Sequence, residues 1–155
     1  TSTGIYEITR GEIAFQTDID IARVGEILDF FNKDRCMLAE YEEEHHIIFI
    51  KSFLKHNSPF LDTSAKIADA IAKDFKKTGE KCPRFWGEFG KKHKRLIEKV
   101  LPELDPKKKG FIATTECLKE ILHLENLFFS PPSKKVQHVT AEKMKTDMEK
   151  IFKTP

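Results

Sequence analysis

From Phe85 to Leu104 apolar side chains return at helical steps: Phe85, Trp86, Phe89, Leu96, Ile97, Val100, Leu101 and Leu104. A stripe of that width must be buried against other elements, so it fixes a helix at the centre of a packed domain. The same period recurs at Ile21, Val24, Ile27, Leu28 and Phe31, at Ile67, Ile71 and Phe75, and at Leu118, Ile121, Leu122 and Leu124. Breakers fall between these runs. Pro59 pushes the residue before it out of the helical region, Gly79 and Pro83 interrupt, and Pro131-Pro132 stop whatever precedes them.

This patterning predicts an all-α fold of five to six helices. The expected helices run from about 18 to 31, about 38 to 56, from Thr63 or Ser64 through Phe75, about 84 to 103 with Pro102 distorting the last turn, about 115 to 128, and about 140 to 153. The second of these buries Ile47, Ile50, Phe53 and Leu54. The first is capped by Thr17 with Asp20. "GIYEITRGEIAF" reads either as a hairpin around Arg10-Gly11 or as a helix capped by Thr9 and Glu12, and the pattern alone does not choose. The organisation is then a helical domain over 1–130, a proline-containing linker over 131–139, and a C-terminal helix over 140–155 that docks or binds a partner. The chain opens at Thr1, which reads as a fragment of something longer.

With 155 residues, 39% hydrophobic and 34% charged, the chain can bury a real core, and its 13 phenylalanines suit one built on Phe. No apolar run approaches the roughly 20 residues of a membrane span. Cys36, Cys82 and Cys117 are odd in number and widely spaced, which argues against a disulfide framework and for an intracellular, cytoplasmic setting. The net charge of +2 hides a division. Residues 1–65 hold twelve Asp or Glu against six Lys or Arg, and residues 66–109 hold fourteen Lys or Arg against seven Asp or Glu.

"LDPKKKGFIATTECL" carries a family signal. Asp105, Gly110, Ile112 and Glu116 occupy the first, sixth, eighth and twelfth places of a twelve-residue loop. Ile97, Val100, Leu101 and Leu104 lead into it, and Ile121 and Leu124 follow. The stretch over residues 93–124 resembles an EF-hand, the helix–loop–helix calcium unit of the calmodulin and light-chain superfamily. The resemblance implies a partner unit joined through a short two-stranded ribbon at Ile112. Candidates for that unit lie at Gly11 and Ile13, at the segment after Asn32, and around Gly79 and Glu88. In this loop Lys107 and Lys109 stand where carboxylates would bind, and Ala113 fills another ligand place. Calcium needs about six to eight oxygen ligands, so Asp105 and Glu116 would be the only side-chain ligands of a degenerate site, and no metal or cofactor is expected.

The resemblance implies a non-catalytic, calcium-independent adaptor or light-chain-like module that binds a helical segment of a larger protein. Its candidate contact residues are Phe85, Trp86, Phe89, Phe128, Phe129, Met144 and Met148, although the first three also fall where a core stripe would. The alternative is a basic domain binding nucleic acid or acidic lipid through residues 76–95. Its patch would comprise Lys91, Lys92, Lys94 and Arg95, with Lys107, Lys108 and Lys109 beside it. "YEEEHHIIF" sets Glu and His together without the spacing of a zinc motif. No nucleophile–base pair is arguable.

Overall fold

The computed structural model describes residues 1–33, 38–57 and 63–129. In chain order its elements are β1 (Ile5–Glu7), α1 (Arg10–Thr17), α2 (Ile21–Lys33), β2 (Ala39–Glu42), β3 (Ile47–Ile50), α3 (Phe53–Asn57), α4 (Ser64–Thr78), α5 (Pro83–Lys92), α6 (Lys94–Val100), a 3-10 turn at Leu101–Glu103, and α7 (Phe111–Phe128). The fold is mostly helical. Two features depart from expectation among the described residues: there are seven helices rather than five to six, and a three-stranded antiparallel sheet of order β1-β3-β2 replaces the two-stranded ribbon. The predicted linker and C-terminal helix, 131–139 and 140–155, lie outside the described residues.

The sheet is the largest correction. Residues 38–56, expected as one helix, form β2, a turn, β3 and the short α3. As the central strand, β3 pairs Ile5 with Phe49 on one side and Tyr41 with Ile48 on the other. It is covered on both faces. Ile47 and Phe49 join Ile5 in the main core, while Ile48 joins Ile8, Tyr41, Val24 and Leu28 in a second cluster under α2. A strand buried on both faces loses the polar alternation that identifies strands and reads as a continuous apolar run. The turn before it uses His46 at φ 55, with the Glu42 carboxylate accepting from the His45 amide at 3.0 Å.

"GIYEITRGEIAF" contains both of its readings in series. Ile5–Glu7 is strand, and Thr9 then opens α1 with a capping box. Its hydroxyl accepts from the Glu12 amide at 3.1 Å, and Glu12 accepts from the Thr9 amide at 3.2 Å. No residue of α1 is fully buried, so the cap carries an unusual share of this helix's stability. Thr9→Ala is expected to cost about 1 kcal/mol in urea unfolding. The accompanying loss of amide-exchange protection should be concentrated in residues 10–17.

The main core lies between α5 and α7, with α4 and the sheet closing it. Gly87 and Gly90 allow the two helices to approach closely: a Cβ on Gly90 would stand 2.9 Å from the Ile121 carbonyl oxygen, and one on Gly87 3.0 Å from that of Leu124. Trp86 fills the centre, edge-on to Phe75 and Phe89 at 5.2 and 5.0 Å. Its indole N–H donates to the Thr78 hydroxyl at 2.9 Å, which in turn donates to the Asp74 carbonyl at 3.0 Å. The Asp74 carboxylate ties down the first residues of the chain, accepting from the Thr1 and Thr3 hydroxyls and the Ser2 and Thr3 amides. The single long helix expected over 84–103 breaks at His93, which has neither helical nor extended backbone (φ −113, ψ 22), and tightens into a 3-10 turn at Pro102.

The loop after it is short. The Asp105 side chain accepts from the Lys107 amide at 2.9 Å and its carbonyl from the Lys108 amide at 3.1 Å, closing a turn. Gly110, at φ 85, then starts α7 at Phe111, four residues before the predicted position. Ile112 therefore lies in a helix and is 71% exposed; no strand passes through it, and the sheet is built from other segments.

Candidate interaction surface

Helices α1 and α2 lie over the face of the sheet opposite the main core. Val24 and Leu28 bury the inner side of α2, while Ile27 and Phe31 remain part-exposed beside them. Between the two helices and the sheet an open cleft of about 250 Å³ remains, lined almost wholly by apolar side chains, among them Ile13, Ile19, Ile27, Phe31 and Ile48. Elsewhere on the same two helices, outside the lining, Phe15 is 90% exposed and Ile21 and Phe30 more than half exposed. Five of the eight exposed large apolar side chains among the described residues fall within residues 15–38. Single exposed apolar residues are ordinary, but an open concave cleft with mainly apolar walls is where a ligand or partner side chain can be buried.

The surroundings of the cleft are acidic. Residues 10–33 hold five carboxylates against three cations. Arg10 is engaged with Asp29 and Glu43, and Arg23 with Glu26. Asp18 and Asp20 stand exposed in the α1–α2 turn next to Ile19. Such a site offers apolar burial at its floor and negative charge at its edge.

Sequence reasoning placed the contact residues elsewhere. Phe85, Trp86 and Phe89 are essentially fully buried and belong to the core, so they cannot meet a partner or stack on bases in the folded chain. Phe128 and Phe129 sit at the end of α7, where both rings lie 3.2 Å from where a Gly87 Cβ would stand; Phe128 is partly exposed. Met144 and Met148 lie outside the described residues. The signal that could have found the cleft was the set of apolar residues beside the buried Val24 and Leu28 that the core does not fully cover, at Ile13, Ile19 and Ile27.

The basic residues are exposed but dispersed. Lys91 lies over the Phe129 ring at 5.7 Å, Lys94 faces Glu125 at 3.6 Å, and Lys108 pairs with Asp69 at 2.9 Å. Lys92 and Arg95 flank His93, while Lys107 and Lys109 sit on the turn before α7. Burial and the nearby Lys51 lower the Lys92 pKa. Asp105 and Glu116 face different clefts: Asp105 borders one with Asp69 and Lys108, and Glu116 borders another with Phe75 and Lys76. They do not converge on one point.

Two other charged groups are structural in character. Lys51, only 8% exposed, is held between Glu40 at 2.8 Å and Glu88 at 3.2 Å, and Arg84 adds a contact to Glu40 at 2.6 Å. Burial opposes charge on both Lys51 and Glu40, yet the pairing outweighs it, raising the Lys51 pKa and lowering that of Glu40. The network ties β2 and the residue after β3 to α5. Glu42, Glu44 and His45 bring ligand atoms within 4.8 Å of one another in the β2–β3 turn, but Glu42 is already spent on the His45 amide and ring. Cys82 and Cys117 are free thiols whose pKa values burial raises.

No family model, no curated protein and no solved structure matches this chain. Among the described residues no helix is long and apolar enough to cross a membrane.

Proposed function

We propose that this chain is a non-catalytic protein-interaction module that receives an amphipathic helix, with basic residues on its polar side, in the α1–α2 cleft. The observation that carries the reading is the open apolar cleft bounded by Ile13, Ile19, Ile27 and Phe31 with exposed acidic residues at its edge. An amphipathic helix laid in such a groove buries its apolar stripe and sets its lysines beside the carboxylates. The helix–loop–helix over 93–124, EF-hand-like in its residue spacing, serves in this reading as a calcium-independent scaffold behind the sheet. The nucleic-acid or acidic-lipid alternative rests on Lys91, Lys92, Lys94 and Arg95 alone, because the aromatics that would have stacked are in the core.

The test is a titration of the isotope-labelled full chain with lysine-bearing amphipathic peptides, followed by methyl resonances. Shifts should map to Ile13, Ile19 and Ile27. Ile19→Asp with Ile27→Asp should weaken binding at least about tenfold, while Ile112→Asp, on exposed α7 surface, should leave it unchanged. Shifts confined to the Lys91–Arg95 surface, or affinity indifferent to the cleft substitutions, would refute the reading.

A further inference from the structure

We infer that the α1–α2 cleft is occupied in cis by the chain's own C-terminal segment, residues 140–153. This rests on the reading of the cleft as a helix receptor and adds its first occupant. The segment follows α7 in the sequence and is patterned as an amphipathic helix, with Met144, Met148, Ile151 and Phe152 at steps of four, three and one. Thr140, at the start of that pattern, is a residue type that caps helices. Four apolar side chains on one face, two of them unbranched methionines that adapt to irregular walls, need cover. The cleft offers it, lined by Ile13, Ile19, Ile27 and Phe31.

Charge agrees with the pairing. Residues 140–153 hold four lysines against three acidic residues, with Lys134 and Lys135 just before them, whereas residues 10–33, on the two helices of the cleft, hold five carboxylates against three cations. The nine residues 131–139 extend to about 30 Å, the scale of a small domain's diameter. A short tether of this kind holds its segment at an effective concentration on the order of 1 mM. A segment with an intrinsic Kd of about 100 µM would then weaken any competing helix about tenfold.

The experiment compares the full chain with its Met144→Asp/Met148→Asp variant, whose substitutions lie outside the core described above. Both are titrated with a synthetic peptide of residues 138–155, and the methyl resonances of Ile13, Ile19 and Ile27 are recorded before and during the titration. The expected result is that the variant alone moves the cleft resonances, independently of protein concentration, and binds the peptide at least about tenfold more tightly than the unaltered chain. If both proteins bind the peptide in the cleft equally and the substitutions move no cleft resonance, the cis contact is overturned while the cleft remains a helix receptor. Resonance changes that depend on protein concentration would assign the cleft to a second copy and equally overturn it. If neither protein binds the peptide and the substitutions move no cleft resonance, the receptor reading fails and the cis contact with it.

Discussion

Trp86→Ala is expected to lower the unfolding free energy by about 3–5 kcal/mol, the cost of emptying a large aromatic site in a packed core. Trp86 is fully buried, lies edge-on to Phe75 and Phe89, and donates its indole N–H to Thr78. The loss is a large share of a typical domain's total stability of about 5–15 kcal/mol. Because Trp86 is the only tryptophan, unfolding has to be followed by far-UV circular dichroism in urea. Trp86→Phe keeps most of the volume and loses the hydrogen bond, so it should cost about 1–2 kcal/mol. A loss below about 1 kcal/mol for the alanine variant would mean that the side chain is not central to the core and would return it to the list of surface contacts.

Trp86 also shows how far sequence periodicity reaches. The helical stripe from Phe85 to Leu104 located the main core, and of the two starts open to the next helix, Thr63 or Ser64, α4 takes the one with Thr63 as cap, its side chain accepting from the Lys66 amide. The stripe could not tell buried aromatics from binding aromatics, since both occupy the apolar face of a helix. Which of the two holds depends on whether another helix covers them. That was decided by Gly87 and Gly90, whose missing side chains let α7 pack against α5.

The hairpin was lost for a different reason. Helix and strand are distinguished by period, and β3 has neither period because both of its faces are covered, one by the helical core and the other by α2. Its turn ends on a histidine in the left-handed region rather than on glycine or asparagine, so the usual turn chemistry was silent. The cleft followed the same logic. With residues 38–56 read as a helix there was no sheet for α1 and α2 to lie over, and the space between them could not be seen. The loop at Asp105 was legible as a helix-joining turn with the wrong charges for a cation. The ribbon expected through Ile112 does not form, because Gly110 lets α7 begin at Phe111 and takes Ile112 into the helix.

Acidification is expected to destabilise the chain in two steps, and His93 gives the first. It sits in the break between α5 and α6, packed 4.6 Å from the Phe89 ring, with its Nε2 buried and without a hydrogen-bond partner among the described residues. Burial, helped by the neighbouring Lys92 charge, lowers its pKa to about 4 from an ordinary 6.5. The folded state therefore holds the imidazole neutral while the unfolded chain protonates it. Above pH 6.5 the group has no effect; as pH falls from 6.5 to about 4 the unfolded state gains protons first, and stability drops by a total on the order of 3 kcal/mol. The second step belongs to Asp74. Burial alone would raise its carboxyl, but the hydrogen bonds from Thr1, Thr3 and the Ser2 and Thr3 amides outweigh burial and hold it below its ordinary 3.8. Its contribution is present above that value and is lost as pH falls through the lower folded-state pKa. Urea unfolding at pH 7.5, 6, 5, 4, 3 and 2 separates the two. His93→Phe should flatten the curve between pH 6.5 and 4 while leaving the fall below it, because a phenylalanine keeps the ring against Phe89 and has nothing to titrate. A His93→Phe curve parallel to that of the unaltered chain would show that His93 is not the group responsible.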